Sequence, residues 1–171
     1  MAKDQTVNIF WFRRDLRLED NAGLYEALKS GKPVIPVFIF DKEILDLLDD
    51  KSDRRVEFIV SVIEEMQLQL TALGTSLELY YDKAINAWEK ITSNFSIDTV
   101  FTNHDYEPYA QERDDQVKTL LEKKAISFKT FKDQVIFEKL EVVKDDGKPY
   151  TVFTPYSRRW KAVLKPFYIK S

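Results

Sequence analysis

The chain has no cysteine, one histidine and only four glycines among its 171 residues, and each shortage closes off a chemistry. Without thiols there is no disulfide, no thiolate metal site and no cysteine nucleophile. With His104 as the sole imidazole, a zinc centre of the usual kind lacks ligands, so no metal is expected. The glycines form neither a Gly-x-Gly-x-x-Gly nor a Gly-x-x-x-x-Gly-Lys pattern, which removes the dinucleotide cradle and the P-loop. No apolar run approaches the roughly 18 residues of a membrane span. The start, Met1-Ala2-Lys3-Asp4-Gln5, carries no apolar signal segment, so a cytoplasmic protein with no membrane partner is expected. Acidic residues are missing altogether after Asp146, where Lys148, Arg158, Arg159, Lys161, Lys165 and Lys170 follow. That tail is read first as a solvated basic helix face, and only second as a phosphate contact.

What is present is a chain for one domain, with the beginning of another element expected at its end. Its organising stretch is Asn8 to Asn21. Ile9-Phe10-Trp11-Phe12 is continuously apolar, as suits a strand covered on both faces. Three arginines and three acids then fall within eight residues, and Asp20 is placed to cap a helix carrying Ala22, Leu24, Tyr25, Ala27 and Leu28.

Strands and helices alternate from there. Val34 to Phe40 reads as a second strand, Leu77 to Tyr81 as a third, Thr99 to Thr102 as a fourth and Ile126 to Phe131 as a fifth. Between them, Val56, Ile59, Ile63, Met66, Leu70 and Leu73 mark the longest helix, with Ser52 or Asp53 as its cap and Gly74 as its terminator. Ala84, Trp88 and Ile91 mark another helix, and Val117, Leu120 and Leu121 one that follows Pro108. Five βα units with short connections predict a Rossmann-like, doubly wound α/β fold with a five-stranded parallel sheet and helices on both faces. Pro36 is at odds with an interior strand and predicts a bulge or a late start to pairing. From Lys132 the alternation stops, and six aromatics from Tyr150 to Tyr168 are more than a terminal helix can bury against itself. They either fold back on the sheet's helices or dock on a further domain, and the second is expected.

The motifs match a known family. Trp11-Phe12-Arg13-Arg14-Asp15-Leu16-Arg17-Leu18 with Asp20-Asn21 resembles the amino-terminal signature of DNA photolyases and cryptochromes. The resemblance continues in Val37-Phe38-Ile39-Phe40-Asp41, in Asn103-His104-Asp105-Tyr106-Glu107-Pro108-Tyr109 with Arg113-Asp114, and in Tyr150 to Tyr156. It implies a sheet in the order 3-2-1-4-5, with 1–131 as the α/β antenna domain. It also implies that 132–171 begins the connector to a missing C-terminal FAD-binding helical domain. The full-length protein would then be a deoxyribodipyrimidine photolyase, a carbon-carbon lyase driven by blue light that acts on damaged DNA. This piece would hold the light-harvesting chromophore and no catalytic residue. A cryptochrome photoreceptor domain and a free-standing nucleotide-binding domain are the alternatives.

In that strand order a crevice opens between the loop Arg13 to Asp20 and the loop Asn103 to Pro108, with Asp41 beside it. Arg14, Asp41, Asp105 and Glu107 can converge there as a ligand site. They can equally form a salt-bridge network, in which Asp15 and Arg17 pin the first helix and Asp105 caps the fourth. By resemblance to the deazaflavin type of antenna domain, those four match chromophore contacts, and Arg55 is a fifth. Where folate-binding members carry an Asn-Glu pair, this chain has Tyr109-Ala110. Deazaflavin or FMN is therefore expected in preference to methenyltetrahydrofolate. His104 reads as a loop hydrogen-bonder, since no serine nucleophile motif accompanies it.

Overall fold

A computed structural model describes residues 5–50 and 52–169. Residues 1–4 and Lys170 of the basic tail lie outside the described residues. Two compact units are present, Met1–Phe131 and Lys132–Ser171.

The first unit is a five-stranded parallel sheet in the order β3-β2-β1-β4-β5. Its strands are β1 (Thr6–Phe12), β2 (Val34–Asp41), β3 (Glu78–Asp82), β4 (Ser96–Asn103) and β5 (Ser127–Phe131). The helices between them are α1 (Ala22–Lys29), α2 (Lys42–Leu45), α3 (Arg54–Ala72), α4 (Ala84–Asn94) and α5 (Pro108–Lys123). This is the expected fold class and strand order.

The two-residue period of a strand explains why residues 9–12 of β1 are apolar without a break. Ile9 and Trp11 face one core with Val37, Ile39 and Val100, covered by Trp88 and Ile91 of α4 and Val117 and Leu121 of α5. Phe10 and Phe12 face the opposite core with Phe38 and Phe101, covered by Leu24 of α1 and by Ile63, Met66 and Leu70 of α3. A central strand buried on both sides has no solvent face to make polar.

Two local expectations are corrected, and a third holds in one of its two forms. Asn21, not Asp20, caps α1: its side chain accepts from Leu24 N at 3.1 Å, while Asp20 turns the chain at a φ of 50°. Both residue types cap well, so the sequence alone favoured neither. Glu107 occupies the cap position of α5 without a side-chain bond, and Asp105 spends its carboxylate on Tyr106 N and on guanidinium groups instead. Of the two outcomes expected at Pro36, the late start to pairing is the one found: Pro36 pairs in register opposite Phe10 without a bulge, but the ladder to β3 begins one residue later, at Val37. The sheet's register shift lies elsewhere, between Val7 and Asn8 where β1 meets β4.

The longest helix starts and stops as expected. Asp53 caps α3, and Gly74 follows it at a φ of 80°, in the left-handed region where a side chain is strained. Arg55, through its side chain first and its backbone N–H second, holds the Asp53 carboxyl at about 2. Lys90, then Asn86, then the Lys83 N–H hold Asp82 at about 2 as well. A carboxyl lowered by folding adds stability above its unfolded value, near 4, and loses it as pH falls through the folded value. Stability that depends on these two groups is therefore lost between about pH 4 and pH 2. Asp53→Asn with Asp82→Asn should flatten the acid limb of unfolding, followed by circular dichroism, in that window. An unchanged limb would remove these pairs from the account.

In the second unit, α6 (Phe153–Val163) and a short 3-10 turn (Pro166–Ile169) gather a small aromatic cluster. The Phe137 ring meets Trp160 at 5.5 Å and Tyr168 at 5.2 Å, both edge-on. Lys132 binds both oxygens of Glu141 at 2.8 Å. Val152, Phe153 and Phe167 stay exposed. Among the described residues, no helix is long and apolar enough to cross a membrane.

Candidate functional site

Strand order determines where a site can form. The connection leaving β1 runs to β2 on one side and the connection leaving β4 runs to β5 on the other, so the loops at their carboxyl ends part and leave a crevice. Three loops meet there: residues 13–20 after β1, Asp41 at the end of β2, and residues 103–107 after β4.

The β1 loop is held rigidly although it contains no glycine. Asp15, 5% exposed, accepts from Arg13 N at 3.1 Å and from the side-chain nitrogens of Asn21 and Asn103. Asn103, 1% exposed, also donates to Asn21 Oδ1 at 2.9 Å and accepts from Gly23 N at 2.9 Å. Arg17 donates to Asp20 O. Asp15 and Arg17 thus pin the start of α1, which accords with their structural reading.

Behind the crevice sits a charged cluster. Arg13 binds both oxygens of Asp114, the closer at 2.5 Å, and also donates to Asn103 O. Arg113 reaches Asp114 at 3.0 Å and Asp105 at 3.8 Å. Both guanidiniums lie over the Trp11 ring, at 5.2 Å and 5.0 Å from its centre. Burial pushes the Arg13 pKa down and Asp114 opposes that shift. Paired carboxylates are what make two buried cations this close together tolerable.

In front of this cluster is a cavity of about 520 Å³. Arg14, Asp41, Asp105 and Glu107 all line it, so the four residues expected to converge do so. Arg14 donates to Glu107 at 2.9 Å and lies 3.4 Å from Asp105 Oδ1. The bond to Glu107 is the main reason its pKa is raised. The opposite wall is apolar: Phe38 and Phe40 from β2, Ile44 and Leu45 from α2, and Val56, Phe58, Ile59 and Val62 from α3. Arg55 does not line the cavity. Its guanidinium turns back to Asp53, at 2.6 Å, with three-quarters of its side chain exposed.

Among the described residues the lining includes no serine, threonine, histidine or lysine, so they offer no nucleophile paired with a base. His104 lies outside it, with Nε2 3.0 Å from Thr130 Oγ1. Among the described residues, no group of His, Asp and Glu can hold a metal ion. A cavity of this size, apolar on one side with a few convergent charged groups on the other, suits binding of a planar ring system with one polar edge. The apolar wall on α3 was not anticipated, although Val56, Ile59 and Val62 repeat at the spacing that puts them on one face.

Comparison with known proteins covers nearly the whole chain. Residues 8–169 match the family model for DNA photolyase. The chain is 31% identical over 158 residues to a deoxyribodipyrimidine photo-lyase of Synechococcus sp., covering 92% of this chain and 32% of that one. A class III photolyase from Agrobacterium tumefaciens superposes with a TM-score of 0.83 at 28% identity, over 97% of this chain and 34% of that one. An archaeal photolyase from Sulfolobus tokodaii, described with two FAD molecules and an implied novel light-harvesting cofactor, gives a TM-score of 0.70 at 33% identity, over 78% of this chain and 32% of that one. The chain spans about a third of the length of each of these three relatives.

Proposed function

Because the chain belongs to the DNA photolyase family, we propose that its α/β unit is the light-harvesting, chromophore-binding domain of a deoxyribodipyrimidine photolyase. The observation that carries this reading is the convergence of Arg14, Asp41, Asp105 and Glu107 on one side of the switch-point cavity, opposite an apolar wall. The bound group, when present, absorbs light and passes on excitation energy. The protein's part is to hold it. Arg14, Asp105 and Glu107 supply a donor and two acceptors for the polar edge of a ring, and Phe38, Phe58, Ile59 and Val62 cover its faces and exclude water.

A deazaflavin or a flavin such as FMN fits this division better than methenyltetrahydrofolate. Tyr109-Ala110 stands where folate-type relatives have their Asn-Glu pair, and the Tyr109 hydroxyl is already committed to Asp41. The photolyase with two FAD molecules, 33% identical, supports a flavin in the same sense. The 132–171 unit is proposed to begin the connector to a helical FAD domain that meets damaged DNA, with the whole protein working in the cytoplasm. No residue of the cavity takes part in lesion chemistry.

Titration of the purified chain with FMN, a deazaflavin and methenyltetrahydrofolate, read by absorption and emission, tests the proposal. One of them should bind saturably. Asp105→Ala removes a charge-assisted contact worth about 1.5–3 kcal/mol, so the affinity should fall roughly 10- to 100-fold. Binding that ignores this substitution places the ligand elsewhere, and no binding of any of the three defeats the proposal.

A further inference from the structure

We infer that Tyr109, which does not line the cavity, is a positioning residue that sets the distance between its charged side and its apolar wall. The inference rests on the functional reading above and adds a residue to it. Tyr109 lies in the first turn of α5, behind β4, with its ring 5.8 Å from the Arg113 guanidinium. Its hydroxyl crosses to the β2 side and donates to Asp41 Oδ2 at 2.5 Å, a contact between residues 68 apart in sequence. Glu43 Oε2, at 3.3 Å, is the more distant alternative acceptor for the single proton.

Asp41 is a junction. Its other oxygen, Oδ1, accepts from Glu43 N at 3.1 Å and caps α2. Helix α2 has only four residues, none of them buried, yet Ile44 and Leu45 on it form part of the cavity wall. A helix this short does not hold itself together, and without a buried face it has no core to hold it either. Among the described residues four polar ties hold it: the Asp41 cap, the Tyr109 bond to that cap, the Glu43–Lys83 pair at 2.9 Å, and the Lys42 ammonium 5.3 Å from the centre of the Tyr81 ring. Of these ties, the Tyr109 bond is the one that spans the crevice, from the β4–α5 side to the β2–α2 side. Burial, then Asp41, pushes the phenol pKa above its ordinary value, so the proton that makes this tie stays in place across the neutral range. Removing it frees the cap and the α2 wall together.

The test uses four forms of the chain: unchanged, Tyr109→Phe, Asp41→Asn and the double variant. FMN affinity is followed by flavin fluorescence, and amide exchange is followed at residues 43–45. Tyr109→Phe should weaken FMN about tenfold and speed exchange at residues 43–45, while amides of β1 and β4 keep their protection. Asp41→Asn, which also alters the cap and the cavity wall, should weaken binding at least as much, and the double variant should be no worse than Asp41→Asn alone, because that substitution already removes the acceptor of the Tyr109 bond. Unchanged FMN affinity in Tyr109→Phe, or losses that add in the double variant, overturns the inference. If the unchanged chain binds no FMN, the functional reading fails for that probe, and amide exchange alone decides. Faster exchange at residues 43–45 in Tyr109→Phe then upholds the tie, and unchanged exchange refutes it.

Discussion

Replacing Gly23 with alanine is expected to destabilise the α/β unit by about 3 kcal/mol, through overpacking combined with a lost buried hydrogen bond. A Cβ built there lies 2.6 Å from Asn103 Oδ1 and 2.9 Å from Phe10 Cε2. Neither atom can move away cheaply. Asn103 Oδ1 accepts from Gly23 N, and the same side chain donates to Asp15 and Asn21. Phe10 is completely buried between α1 and α3. In an ordinary exposed helical position the same change would stabilise by about 1 kcal/mol, so even the sign of the effect is diagnostic. Urea denaturation of Gly23→Ala beside the unchanged chain measures it, and a midpoint equal to or above that of the unchanged chain would show that the close approach is not real.

The other large effect is expected at Trp88. It is fully buried, packs edge-on against Trp11 with ring centres 5.4 Å apart, and anchors α4 to the sheet. Trp88→Ala should cost about 3–5 kcal/mol, the usual range for emptying a large aromatic site. Trp88→Phe should cost much less. The indole Nε1 is buried without a hydrogen-bond partner among the described residues, so the phenyl ring gives up volume but no bond to them. Equilibrium unfolding of both variants gives the comparison, and a Phe variant as unstable as the Ala variant would mean that the nitrogen matters after all.

How much of this was legible in the sequence depended on the distance over which each residue acts. The strand order and the crevice followed from alternation and family likeness. Arg14, Asp41, Asp105 and Glu107 were found because each lies at the carboxyl end of a strand, where topology leaves little choice. Arg55 went differently through helix phase. It is one position from Val56, hence about 100° around α3, and its near neighbour is the capping Asp53. Tyr109 was noticed only as a departure from a motif, because nothing local in a sequence says that a phenol will meet a carboxylate on another strand. The choice of Asn21 over Asp20 depended on which residue could turn the chain at positive φ, and both types tolerate that conformation.

The central place of β1 also bears on how the chain is made. Of the five strands, Thr6–Phe12 leaves the ribosome first, but its two sheet partners are β2, which starts at Val34, and β4, which starts at Ser96. After β2 has paired, the other edge of β1 waits until β4 has been translated. At about 5–20 residues per second that wait is on the order of seconds. Throughout it, a largely apolar strand with Trp11 and two phenylalanines presents unpaired backbone groups. The segment that ends as the most enclosed part of the protein is, during synthesis, the one most in need of a chaperone.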